Sequence, residues 1–135
     1  MESLVNYKLI TNKVSLVNNK LPKGNFTIDP KLHRSIETID ESHSGVTFVL
    51  EIKSTPENPF PIDLLISVTG VFDISNIKEN DVEDFLKIQS CQIIFPHIRT
   101  ILATLTSSSL MPPILLPIID VRKVFGETES KNEAH

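Results

Sequence analysis

The sequence predicts an α+β domain: a four-stranded antiparallel sheet, a meander, followed by a long helix and a short C-terminal helix. Three observations predict it. Period-two alternation recurs in four segments before residue 75, and the links between them are short, which favours antiparallel neighbours. Helical spacing replaces it afterwards, with Ile94, Ile98, Ile101, Leu102 and Leu105 on one face. Elements segregated in this way give one sheet layer and one helix layer.

Each strand has its own signal. In Met1–Asn18, Val5, Tyr7 and Leu9 alternate, and Val14 and Leu16 continue in the opposite phase, so a β-bulge is expected near Thr11–Lys13. Asn18 to Asn25 carries turn residues. Phe26–Asp40 is a weaker strand, broken at Asp29-Pro30, which points to an edge position or an irregular entry. Glu41 to Gly45 reads as a turn. Val46–Thr55 is the clearest strand, with Val46, Phe48, Leu50 and Ile52 facing one way. A proline-rich loop, Pro56 to Pro61, leads to Ile62–Ile74. There Gly70 falls on the buried parity and predicts a bulge or a close backbone approach.

Helical signals begin at Asn80, a candidate N-cap with Glu83 three residues on, and Val82, Phe85 and Leu86 share a face. The main helix is expected over Gln92–Ser108, with Pro96 in its first turn, where a missing N–H is harmless. Leu110 to Ile119 is a very apolar run broken by Pro112, Pro113 and Pro117, so neither helix nor central strand suits it. Such a segment either closes the core or offers a sticky surface. Asp120 is a good N-cap for a last helix, Val121–Phe125. Residues 1–125 are read as one domain, and 126–135 as a disordered acidic tail.

Composition narrows the function classes. A chain of 135 residues buries about 68% of its unfolded surface, enough for an independent core. The formal charge is −4 and no basic stripe is present, which argues against a nucleic-acid partner. One cysteine, Cys91, fits a reducing compartment. No signal-peptide pattern opens the chain, and no stretch of about 18 apolar residues predicts membrane insertion. A cytoplasmic location is expected.

Catalytic signals are absent. The four histidines (His33, His43, His97 and His135) show no metal-ligand spacing, so no metal or cofactor is expected. Cys91 and His97 stand six residues apart and would point in different directions on one helix. Asp63 and Asp73 lie on or near one strand with no shared pocket implied. The chain is therefore not expected to be an enzyme. The excess is in apolar surface: the helix, Leu65 and Val71 on the wet face of the fourth strand, and the proline-broken run exceed what one sheet and one helix can hide.

Several of these residues resemble the SecB family of protein-export chaperones. Gly70-Val71-Phe72-Asp73-Ile74, then Ile93-Ile94-Phe95-Pro96-His97-Ile98-Arg99, is similar to the family's fourth-strand end and helix start. Met111 to Asp120, closed by Phe125, resembles its proline-containing loop, and Tyr7 to Leu16 its bulged first strand. The resemblance implies ATP-independent holding of unfolded polypeptides in apolar grooves. By position it assigns the groove to Leu110, Met111, Ile114 and Leu116, with Val124 and Phe125 beside them. It also implies a homotetramer, a dimer of dimers with the main helices between two sheets, which assigns an oligomer interface to Ile98, Ile101, Leu102 and Leu105.

Three departures are visible. Leu65 stands where the export chaperones carry an acidic contact for the SecA motor, Thr69-Gly70 replaces a Gly-Gly pair, and the chain turns polar at Gly126. Two other readings stay open: a chaperone of this fold dedicated to one client, such as an antitoxin, and a small oligomeric ligand-binding protein whose apolar loop caps a pocket.

Overall fold

The computed structural model describes residues 5–22, 24–109 and 121–125. Four strands, β1 (Tyr7–Asn18), β2 (Lys31–Thr38), β3 (His43–Ile52) and β4 (Ile62–Asp73), form one antiparallel sheet. The chain then turns helical through α1 (Glu79–Asp84), a π-helical turn (Phe85–Gln89) and α2 (Ser90–Ser108); α3 is a single turn, Val121–Val124.

The strand order is β1-β4-β3-β2. β2, β3 and β4 form the expected meander, but β1 departs from it and lies beside β4, giving a Greek-key arrangement. The link from β1 to β2 crosses the end of the β3–β4 hairpin. The Asn19 amide donates to the Pro61 carbonyl at 2.8 Å, its side chain donates to the Phe60 carbonyl at 3.0 Å, and Phe26 meets Phe60 edge-on at 6.3 Å. β2 is shorter than the alternation implied because Pro30 can donate nothing to a ladder. β3 starts earlier than expected, at His43, because the turn is tight: Asp40 accepts from the Ser42 amide at 2.8 Å and pairs with His43 Nδ1 at 3.0 Å. The bulge expected in β1 is present, as a register shift between Thr11 and Lys13.

The core lies between the helix layer and the inner faces of β3 and β4. Val46, Phe48, Leu50 and Ile52 from β3 and Ile62, Leu64, Ile66, Val68 and Phe72 from β4 meet Phe85, Ile88, Cys91, Ile94, Phe95, Ile98 and Leu102. Gly70 shows why a close approach is required: a Cβ there would lie 2.7 Å from the Phe72 ring and 3.2 Å from Ile94 Cδ1. The polar residues on the buried helix face satisfy themselves. Ser90 donates to the Leu86 carbonyl and Thr106 to the Leu102 carbonyl, each four residues back.

Two helix expectations are corrected. The N-cap is Lys78, with no side-chain cap bond, so Asn80 lies inside the first turn. Pro96 is interior to α2 rather than in its first turn, because helical structure already begins at Glu79 and runs through the π turn. The exposed ring removes one i→i−4 bond on the solvent side.

At the other end of β4, Asp63 binds the start of the strand to its neighbours. The Ser54 amide (2.9 Å) and the Asn19 side chain (3.1 Å) both donate to it, and these bonds hold its carboxyl below the usual 3.8. A carboxyl lowered on folding adds stability above its unfolded pKa, and that stability is lost as pH falls. Asp63→Asn should therefore flatten the loss of stability as pH falls through the carboxylate range in denaturant titrations. Gly70→Val should cost about 1–3 kcal/mol by overpacking, read by the same titrations at neutral pH.

Candidate functional site

The helix layer covers β3 and β4 but not the edges. On β2 the inner-facing residues follow from register: Leu32 opposite Leu50, Arg34 opposite Phe48, and Ile36 opposite Val46. Ile36, at the end of this strip, lines a furrow against the helical arm.

Arg34, two residues before Ile36 on the same face, is covered from within. Phe125, just after α3, meets Phe48 edge-on at 5.9 Å, and the Arg34 guanidinium lies 4.3 Å from the centre of the Phe125 ring. Arg34 also donates through Nη1 to the Lys87 carbonyl at 2.6 Å. Lys87 belongs to the π turn, where hydrogen bonding is widened and a carbonyl is available to an outside donor. One cation thus connects an edge strand, the π turn and α3. Arg34 was not singled out by sequence reasoning. The signal was present, because it falls between Leu32 and Ile36 on the apolar parity.

At Ile36 the strip is open. A cavity of about 610 Å³ has an apolar floor of Ile36, Ile74, Ile77, Val82 and Leu86, with Glu41, Glu79 and Glu83 and Ser75 around it. Leu86 is buried, Ile36 is 40% exposed, and the glutamates are exposed. Glu83 bridges to Lys87 at 2.8 Å, and that contact lowers its pKa.

The residues assigned from sequence fall in three groups. Leu110, Met111, Ile114 and Leu116 lie outside the described residues. Val124 is exposed on α3, while Phe125 packs against the core. Of the four expected interface residues, Ile98 and Leu102 have 0% exposure within the single chain. They are core residues with no surface left for a partner, because they face β3 and β4 directly. Ile101 and Leu105 retain partial exposure.

Other placements are plain. Leu65 is half-buried on the outer face of β4, opposite Ser15 and Glu51. Cys91 is buried and His97 exposed, so they do not meet. Asp63 and Asp73 stand at opposite ends of β4, and Asp73 accepts from Ser75. Among the described residues, no His, Cys, Asp and Glu cluster could hold a metal, and no helix is long and apolar enough to cross a membrane.

Among the described residues, β1 carries four of the exposed large apolar side chains. Tyr7 (51% exposed) and Val14 (40%) lie on its inner side, Ile10 (41%) and Val17 (53%) on its outer side.

Residues 10–132 match the family model described as preprotein translocase subunit SecB. An uncharacterized protein of Methanocaldococcus jannaschii is 26% identical over 132 residues, covering 92% of this chain and 83% of that protein. The protein-export protein SecB of Orientia tsutsugamushi (strain Boryong) is 26% identical over 106 residues, which is 78% of this chain and 66% of the relative. A solved structure, a SecB-like chaperone of Mycobacterium tuberculosis in complex with a ChAD peptide from the HigA1 antitoxin, superposes with a TM-score of 0.67 at 15% identity. It covers 85% of this chain and 87% of that one, and establishes likeness of fold.

Replacing Arg34 with Leu should remove the Lys87 bond and the ring contact together. We expect a loss of about 1–3 kcal/mol and faster amide hydrogen exchange over residues 121–125. Unchanged exchange there would show that Arg34 does not hold α3.

Proposed function

The chain belongs to the SecB family, and from that premise we propose that it is an ATP-independent holding chaperone for non-native polypeptides. The observation that carries the reading is the furrow between β2 and the helical arm, apolar along its floor and open to solvent at one end. A non-native chain exposes apolar side chains and unpaired main chain. A furrow beside an edge strand offers both an apolar floor and main-chain hydrogen-bonding groups. By the family resemblance, Leu110, Met111, Ile114 and Leu116, with Val124, are the residues proposed for client contact. A methionine-bearing aliphatic surface adapts to many partners.

The working form is a homotetramer. Tyr7, Val14, Ile101 and Leu105 are the surface that copies bury against one another; exposed apolar area on that scale is commonly covered by association. The protein acts in the cytoplasm. Its clients include exported chains only if SecA collects them without the acidic contact that Leu65 replaces.

A second reading is favoured by the likeness to a chaperone solved with an antitoxin peptide: a chaperone of this fold serving one dedicated client. The two differ in breadth of clients, not in where the client sits.

The purified protein should suppress aggregation of several chemically denatured clients at near-stoichiometric ratio without ATP, at a solution mass of about four chains. Leu110→Asp combined with Ile114→Asp should abolish suppression and leave that mass unchanged. Dissociation of the variant would assign those residues to the interface. Failure of the intact wild-type oligomer to suppress aggregation of any client would sink the holding role, and suppression confined to one client would favour the dedicated reading.

A further inference from the structure

The register of β1 is weakly held by burial. No residue of β1 is buried, whereas alternate residues of β4 are. β1 is also an edge strand, with β4 as its neighbour in the sheet. A slip of one residue sends every side chain to the opposite face, and a strand with little burial resists it poorly. The bulge makes that register matter. Thr11 pairs with Val68 and Lys13 with Ser67, so Asn12 is the extra residue. After it, Val14, Leu16 and Asn18 stand opposite Ile66, Leu64 and Ile62, on the core side with Tyr7 and Leu9. Unbroken alternation from Tyr7 would instead turn Lys13, Ser15 and Val17 inward and Val14 and Leu16 outward. The bulge therefore gathers Tyr7 and Val14 on one side of the strand and Ile10 and Val17 on the other.

The extra residue is pinned. Asn12 Nδ2 donates to Thr69 Oγ1 at 2.8 Å and to Ser67 Oγ at 3.2 Å, both on the outer face of β4. Thr69 Oγ1 in turn lies 2.7 Å from Thr47 Oγ1 on β3, so the pin reaches both central strands. A side-chain amide carries two N–H donors, which suits two hydroxyl acceptors. From this arrangement we infer that Asn12 is a positioning residue for self-association. It fixes the bulge, and through the bulge it fixes which side chains β1 offers to a second copy of the chain. This rests on the reading that copies bury Tyr7 and Val14 against one another, and names the residue that shapes that surface. Without the pin, β1 divides between registers, and the apparent affinity between copies falls with the fraction in the competent one.

Two measurements on the full chain test this. Sedimentation over a range of protein concentrations reads association, and the methyl NOE between Val14 and Ile66 reads the register directly. Ser67→Ala with Thr69→Val removes both acceptors and leaves Asn12 in place. In that variant, and in Asn12→Ala, association should weaken about three- to tenfold, the scale of one or two hydrogen bonds. The Val14–Ile66 contact should weaken in parallel. Deleting Asn12 should remove the contact and abolish association, with the amide protection of β3 and β4 retained; the two pin variants keep the test decisive where the deletion does not fold. Lys8→Ala, on the same outer side of β1, should behave as wild type. Unchanged association in both pin variants overturns the inference and leaves the assembly reading standing. Weakened association with the Val14–Ile66 contact at full strength also overturns it, because Asn12 would then touch the partner rather than set the register. A wild-type chain that stays monomeric at every concentration overturns both.

Discussion

Everything in this molecule depends on the contact between the helix layer and the inner faces of β3 and β4. Phe95 meets Phe48 at 5.8 Å, Phe85 meets Phe72 edge-on at 5.5 Å, and Ile94 settles over Gly70. Fully burying one such side chain contributes about 1.5–3 kcal/mol, so this layer is the dominant stabilising term among the described residues. Gly70 is part of the same constraint. Any side chain there would push the helix off the sheet or the Phe72 ring out of its place.

Centring one helix layer on two of four strands has a cost and a use. β1 and β2 occupy the edges, and their inner faces are left partly uncovered. On β1 that surface is apolar on both sides, which is a liability for a lone chain and an asset for an assembling one. On β2 the uncovered strip becomes the floor of a furrow. The π turn matters to it because the widened turn presents the Lys87 carbonyl to Arg34, and Arg34 in turn receives Phe125. The site is thus a by-product of the way the core is covered, refined by one cation and a ring.

The polar groups are arranged to keep this scaffold in place rather than to do chemistry together. Asp40 secures the β2–β3 turn, Asp63 the crossing of the β1–β2 link, and Asp73 the exit from β4; in each case hydrogen bonds to the carboxylate lower its pKa. The cavity beside β2 has an apolar floor with Glu41, Glu79 and Glu83 around it.

Much of the fold is legible in the residues themselves. Alternation marks all four strands, the phase slip at Thr11–Lys13 marks the bulge, and Gly70 on a buried parity marks a close approach; each is a local consequence of side-chain periodicity. What periodicity cannot express is which strand lies beside which. β1 pairs with β4 rather than β2 because Asn19 and Phe26 tie the connecting link across the hairpin end, contacts between residues some forty apart in the chain. The same holds for the site. The apolar face of α2 can be read from spacing, but whether Ile98 and Leu102 face the sheet or a partner depends on where the helix lands. Arg34 has a role only once β2, the π turn and α3 converge. Local chemistry specified the elements, and long-range packing specified the neighbours on which the furrow depends.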